Sequence, residues 1–142
     1  MLKTLYIKVS SLKSFLDNEP NSEVALKSIL SRYNNEEDDY REYINSINSS
    51  MLSGFRLALD VCLSIISSYI YSGCSYSSYR WCICDLKNLD INPNGIPKRS
   101  ARKVRKYCDY YLLDVQVINN DLLVGFMLCV EILFSIIEKV HS

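Results

Sequence analysis

Histidine, glycine and proline are scarce in this chain: one His, four Gly and three Pro in 142 residues. The single His, His141, stands one residue from the C-terminus, where order is usually poorest. Cys–His and Ser–His–Asp catalysis therefore lack a base. Four scattered glycines make no phosphate-cradling loop. Paired carboxylates occur only in the run Glu36-Glu37-Asp38-Asp39, with no cleft signal around it. No enzymatic function is expected, and no cofactor. Ala, Thr and Gln are also rare, at three, one and one. In their place stand 20 Ser, 14 Ile, 11 Asn and 11 Tyr. Ile, Asn, Lys and Tyr use A/T-rich codons, so an A/T-rich genome, such as that of many large DNA viruses, accounts for the skew. An excess of one charge is missing too: 16 basic residues balance 16 acidic ones. That excludes long-range steering by net charge toward nucleic acid or anionic membrane.

What is present fits a globular chain. Hydrophobic residues make up 49% and charged ones 23%, near the globular average. The length suits one domain, residues 1–142, with a real core. Lys3, Lys8 and Lys13 interrupt the first fifteen residues, so no secretory signal is expected there. A reducing, cytoplasmic setting follows, in which the cysteines act as small hydrophobes. Four of them, Cys74, Cys82, Cys84 and Cys108, with His141 in reserve, were weighed as a zinc site. Structural zinc sites pair Cys-x(2–4)-Cys knuckles, and one Cys-x-Cys without a second pair does not match. No metal is expected.

Helical spacing runs through the chain. Leu2, Leu5, Val9, Leu12 and Leu16 predict an amphipathic helix that stops near Pro20. Asn21 or Ser22 caps a second, with Ala25, Leu26, Ile29, Leu30 and Tyr33 as its stripe. The four acids at 36–39 suit the N-terminus of a third, where the macrodipole favours negative charge; Tyr40, Tyr43, Ile44 and Ile47 continue its apolar face. A break is expected at 46–50. Met51 to Tyr71 then predicts a central buried helix, with Arg56 and Asp60 paired across one turn. Residues 73–97 read as a long loop within the domain. Tyr79, Trp81 and Ile83 alternate with polar residues and cysteines there, which suggests a short strand over 79–84. Trp81 could also anchor a loop or helix against the core. Asn92-Pro93-Asn94-Gly95 is a turn.

Lys98, Arg99, Arg102, Lys103, Arg105 and Lys106 open a further helix, whose stripe is Val104, Tyr107, Cys108, Tyr111 and Leu112. Leu113, Val115 and Val117 alternate with polar residues, so a strand is the second reading there. Asn119-Asn120-Asp121 supplies a cap. Leu122 to Val140 is apolar on nearly all sides and must be buried in protein, an interface or a bilayer; Glu131 argues against the bilayer. No internal repeat is visible. The fold class is therefore all-α, a single bundle of five to seven helices around an apolar central one.

Two surfaces invite a partner. The basic run could neutralise phosphates, with Tyr107, Tyr110 and Tyr111 near enough to stack on bases. It could equally face the acidic run at 36–42. The apolar helices offer more surface than a small domain easily hides, which suits a partner's amphipathic helix or a second copy. A protein partner ranks first, nucleic acid second, and a membrane anchor at the C-terminal helix behind both.

Ser53-Gly54-Phe55-Arg56-Leu57-Ala58-Leu59 resembles the start of the central helix in the Bcl family of apoptosis regulators, Asn-Trp-Gly-Arg before apolar residues. Gly and the aromatic stand in the opposite order here. The family's Leu-x(3)-Gly-Asp motif has only Leu26 with Leu30-Ser31 in its place. The resemblance covers about twenty residues. It implies a viral inhibitor of host apoptosis or innate immune signalling, with Arg56 at a groove end and Phe55 and Leu59 lining the groove floor.

Overall fold

The computed structural model describes residues 1–72 and 76–141, without the side chains of residues 76, 77 and 141. It is an all-helical bundle: α1 (Leu2–Asn18), α2 (Ser22–Tyr33), α3 (Arg41–Ile44), α4 (Ser49–Tyr71), α5 (Tyr76–Lys87), α6 (Pro97–Tyr110) and α7 (Asn120–His141). Helix α1 buries the five residues of the predicted stripe. The Asn21 side chain caps α2 by accepting from the Glu23 and Val24 amides at 3.0 and 3.3 Å, and α2 buries Ala25, Leu26, Ile29 and Leu30.

The acidic run does not open a helix. The Asn35 side chain accepts from the amides of Glu37 and Asp38 at 2.9 and 2.7 Å, which closes a local turn. Asp39 then accepts from the Arg41 amide at 3.0 Å, and α3 is a single turn behind it. Burial also overrules the reading of 73–97 as a loop with a strand at 79–84. Tyr79, Cys82, Ile83 and Leu86 are buried at helical spacing on α5. The alternation of Tyr79, Trp81 and Ile83 misled because Trp81 belongs to the opposite face. It is 64% exposed and anchors nothing. The turn at 92–95 forms, with the Gly95 amide on the Asn92 carbonyl at 3.1 Å, and Pro97 takes the first position of α6.

Helix α6 buries Ser100, Val104 and Cys108. It stops two residues before its predicted stripe does. Leu112 adopts φ 56° and is 92% exposed. The Leu113 amide reaches back to the Cys108 carbonyl at 2.8 Å, as in a Schellman stop. Residues 112–119 then run without regular structure, held by Arg105, whose guanidinium donates to the Val115 and Gln116 carbonyls at 2.5 and 3.4 Å.

Arg56 and Asp60 do not pair with each other. Lys13 bonds Asp60 at 2.7 Å. Arg56 donates to the Ser22 hydroxyl at 2.9 Å and the Leu16 carbonyl at 3.4 Å, and lies 3.6 Å from Asp17. Both charges thus tie α4 to the first helical pair. These are partly exposed contacts, each worth of order 1 kcal/mol or less.

The centre of the fold is α4 against α7. The pair is parallel, and its two N-termini are cross-wired. The Asn48 side chain accepts from the Met51 amide of its own helix at 3.0 Å and donates to Asp121 of the other at 3.2 Å. Asn119 accepts from the Leu122 amide at 2.8 Å and donates to the Ser50 hydroxyl at 3.2 Å. One turn on, a Cβ at Gly54 would overlap the Leu122 carbonyl, and one at Gly125 would overlap the Met51 carbonyl. Backbone therefore meets backbone at the crossing. Further along the pair, the thiols of Cys62 and Cys129 lie close together. The reciprocity has a sequence basis that periodicity alone hides: Asn-x(5)-Gly-Phe stands at Asn48–Phe55 and again at Asn119–Phe126. The expectation of no internal repeat is thus overturned.

Both α4 and α7 are long and apolar enough to cross a membrane, yet 56% and 61% of their most apolar windows are buried inside the bundle. Glu131, midway along α7, lies near Tyr40, which is 2% exposed and whose hydroxyl is buried without a hydrogen-bond partner among the described residues. Burial raises the Glu131 pKa, against the opposing pull of the Tyr40 hydroxyl. A carboxyl with a raised folded pKa binds its proton more tightly folded than unfolded. Its ionisation therefore subtracts stability as pH climbs above the ordinary carboxylate value, about 4.3. Glu131→Gln should thus stabilise the fold at neutral pH, with the gain fading on acidification toward that value. Thermal melts of both proteins from pH 4 to pH 8 check the sign.

Candidate functional site

The predicted groove floor does not exist. Phe55 and Leu59 are 0% and 1% exposed, inside the core that α4 shares with its neighbours. Their apolar side chains and the crossing at Gly54 draw them against α7 rather than toward solvent. Arg56, between them in sequence, points elsewhere. It is half-buried beside α1 and α2, with 41% of its side chain exposed.

Arg56 borders a cleft of about 450 Å³ between the first turns of α4 and the irregular stretch before α7. Ser49, Ser53 and Asp60 line the helical wall, and Asp114, Gln116 and Asn119 the other. The cleft is of mixed character, with Leu57, Val115, Val117 and Leu122 beside the polar groups, and holds both signs of charge. Arg56 spends three contacts on Leu16, Asp17 and Ser22, yet its Nε is buried with no partner among the described residues. A buried donor without an acceptor costs about 1–3 kcal/mol. Sequence reasoning found Arg56 but missed the opposite wall. Nothing local marks Asp114 or Gln116; only the route imposed by Arg105 brings them across.

The six basic residues divide by environment. Lys98, Arg99, Arg102 and Lys106 are exposed along α6. Lys103 and Arg105 are half-buried and bond backbone carbonyls, Lys103 that of Asp90 at 2.7 Å. No ion pair among the described residues joins this face to the acidic run, whose Asp39 pairs with Arg41 at 2.8 Å. Of the nearby tyrosines, Tyr110 is 78% exposed. Tyr107 and Tyr111 are half-buried, and the Tyr107 hydroxyl donates to the Asn88 carbonyl at 3.1 Å.

Three of the thiols, Cys82, Cys108 and Cys129, are held in their neutral form. Burial pushes Cys82 up to about 12 and also raises Cys108 and Cys129. Among the described residues no three His, Cys, Asp or Glu side chains are grouped to hold a metal; Cys74 and the His141 side chain lie outside them. Asp85 accepts the Tyr69 hydroxyl, which holds that phenol up at about 12.

Comparison with known protein families, characterised proteins and solved structures finds no match.

Proposed function

We propose that this chain is a non-catalytic protein-interaction module that receives a partner's helix at the Arg56 cleft. The observation that carries the reading is an open cleft of about 450 Å³ bordered by Arg56, whose side chain is 41% exposed. A carboxylate or backbone carbonyl on the incoming helix pairs with the exposed part of the Arg56 side chain, and the serines on α4 offer further hydrogen bonds. Most of the apolar window of each of α4 and α7 is buried within the bundle, so the partner is set at the cleft. The Bcl resemblance extends the reading to a viral inhibitor of host apoptosis or innate immune signalling. Its support is the bundle around an apolar helix and the A/T-rich residue usage. The groove-floor roles of Phe55 and Leu59 are not part of it.

A second reading rests on the four exposed cations of α6, which could track a phosphate backbone. One set of titrations tests both. Amphipathic pro-death helical peptides should shift amide resonances of Ser53, Arg56 and Asn119 saturably. Arg56→Ala should weaken that binding by about tenfold, the value of one charge-assisted hydrogen bond. No shift with the fold intact sinks the cleft reading in its Bcl-like form. Salt-sensitive binding of DNA or RNA, lost in an Arg102→Glu/Lys106→Glu variant, would establish the second.

A further inference from the structure

We infer that the chain is two copies of one helical unit in tandem, and that the α4–α7 seam is the interface between those copies. Nine of the twenty positions from Ile47 to Ile66 carry the same residue 71 places later: Ile47, Asn48, Leu52, Gly54, Phe55, Leu57, Ser64, Ile65 and Ile66. Asp60 meets Glu131 in that alignment, so the acid is kept as well. The shared residues include those that build the seam. The two Asn cap their own helices and reach across, and the two Gly admit the other helix's backbone. A parallel pair with reciprocal contacts is what a two-fold axis along the helices generates; such self-complementary contact is the signature of an interface between like copies.

The elements ahead of the seam follow the same order. Two longer helices, α1 and α2, and the single turn α3 precede α4; two helices, α5 and α6, stand between α4 and α7. Helix α1 buries Leu5, Val9 and Leu12, and α5 buries Tyr79, Ile83 and Leu86 with the same spacing. Helix α2 buries Ala25 and Ile29, and α6 buries Ser100 and Val104.

The units differ in the connection that leads into the long helix. It spans residues 34–48 in the first and 111–119 in the second, which is six residues shorter and forms no helix. In the first unit Tyr40 on that connection lies buried near Glu131. In the second, nothing on the shorter connection takes that place over Asp60, which instead borders the cleft and bonds Lys13 from α1. The cleft is thus the mark of the point where the copies diverged.

The two-fold predicts the geometry of the chain ends. It maps the step from α4 to α5 onto a step from α7 to α1. A circular permutant that opens between Gly73 and Cys74 and joins Ser142 to Met1 through Gly-Ser places four residues between His141 and Leu2. Four also lie between Tyr71 and Tyr76. That permutant should show the parent's helical circular dichroism and melt cooperatively within about 10 °C of it. A second permutant, with a twelve-residue Gly/Ser join, interprets failure. If only the long join folds, the ends are too far apart for the two-fold, and the inference is overturned. If neither folds, the halves do not behave as units meeting at a seam, and it is overturned as well.

Discussion

Gly54→Ala should lower the melting temperature by about 8 °C, and Gly125→Ala by a similar amount. A methyl group at either position overlaps a carbonyl of the opposite helix, Leu122 or Met51. A side chain can rotate away from such a clash, but a helix backbone cannot, so α4 and α7 must separate along the seam. Overpacking of this kind costs about 3 kcal/mol, offset by about 1 kcal/mol of helix propensity gained over glycine. The remaining 2 kcal/mol or so corresponds to about 8 °C for a chain of this size. The two sites share one crossing, so they will not be additive. Once the first methyl has pushed the helices apart, the second meets less resistance, and the double variant should lose less than the sum of the singles. Thermal melts of the four proteins give the whole cycle. A neutral or stabilising result for either single variant would mean that the backbones are not in contact there.

How much of this was legible from residues alone depended on whether the signal was local. The stripe of α1 and the Asn21 cap were read correctly because spacing and cap chemistry act within a few residues. The strand at 79–84 was misread because alternation over six residues is too short to separate period 2 from period 3.6. Leu86, one turn beyond, decides it by extending the buried series Tyr79, Cys82, Ile83. The acidic run was misread because Asn35, just upstream, satisfies the amides that a helix start would otherwise have left for it. The Arg56–Asp60 pair lost to partners on α1 and α2 that have no mark of proximity in the sequence. The cleft was invisible for the same reason, since its second wall comes from residues some sixty positions away. The repeat was a different failure. It is present in the residues, but hydrophobic patterning reduces both copies to apolar helices and erases the identities of Asn and Gly that distinguish a seam.

Phe55→Ala should cost about 3–5 kcal/mol, the value for truncating a fully enclosed phenylalanine. The side chain is 0% exposed and its repeat equivalent, Phe126, is also 0% exposed. Phe126→Ala should therefore cost about as much. Domains of this size hold roughly 5–15 kcal/mol in all, so either change brings the chain close to its unfolding limit at 37 °C. Urea denaturation at 25 °C measures both, and an unchanged m-value would show that the loss is one of stability and not of compactness. The comparison with Arg56→Ala makes the result specific. Arg56 is adjacent in sequence but half-exposed, and its contacts are a long hydrogen bond, a short one and a loose ion pair. Its removal also deletes the buried, unpartnered Nε, which offsets part of what is lost. That variant should unfold within about 1 kcal/mol of the parent while losing the cleft's donor. If Phe55→Ala instead proved as mild as Arg56→Ala, Phe55 would be lining an open surface, as the Bcl resemblance first implied. A large loss at Phe55 beside a small one at Arg56 separates the residue that holds α4 in the core from the residue that faces a partner.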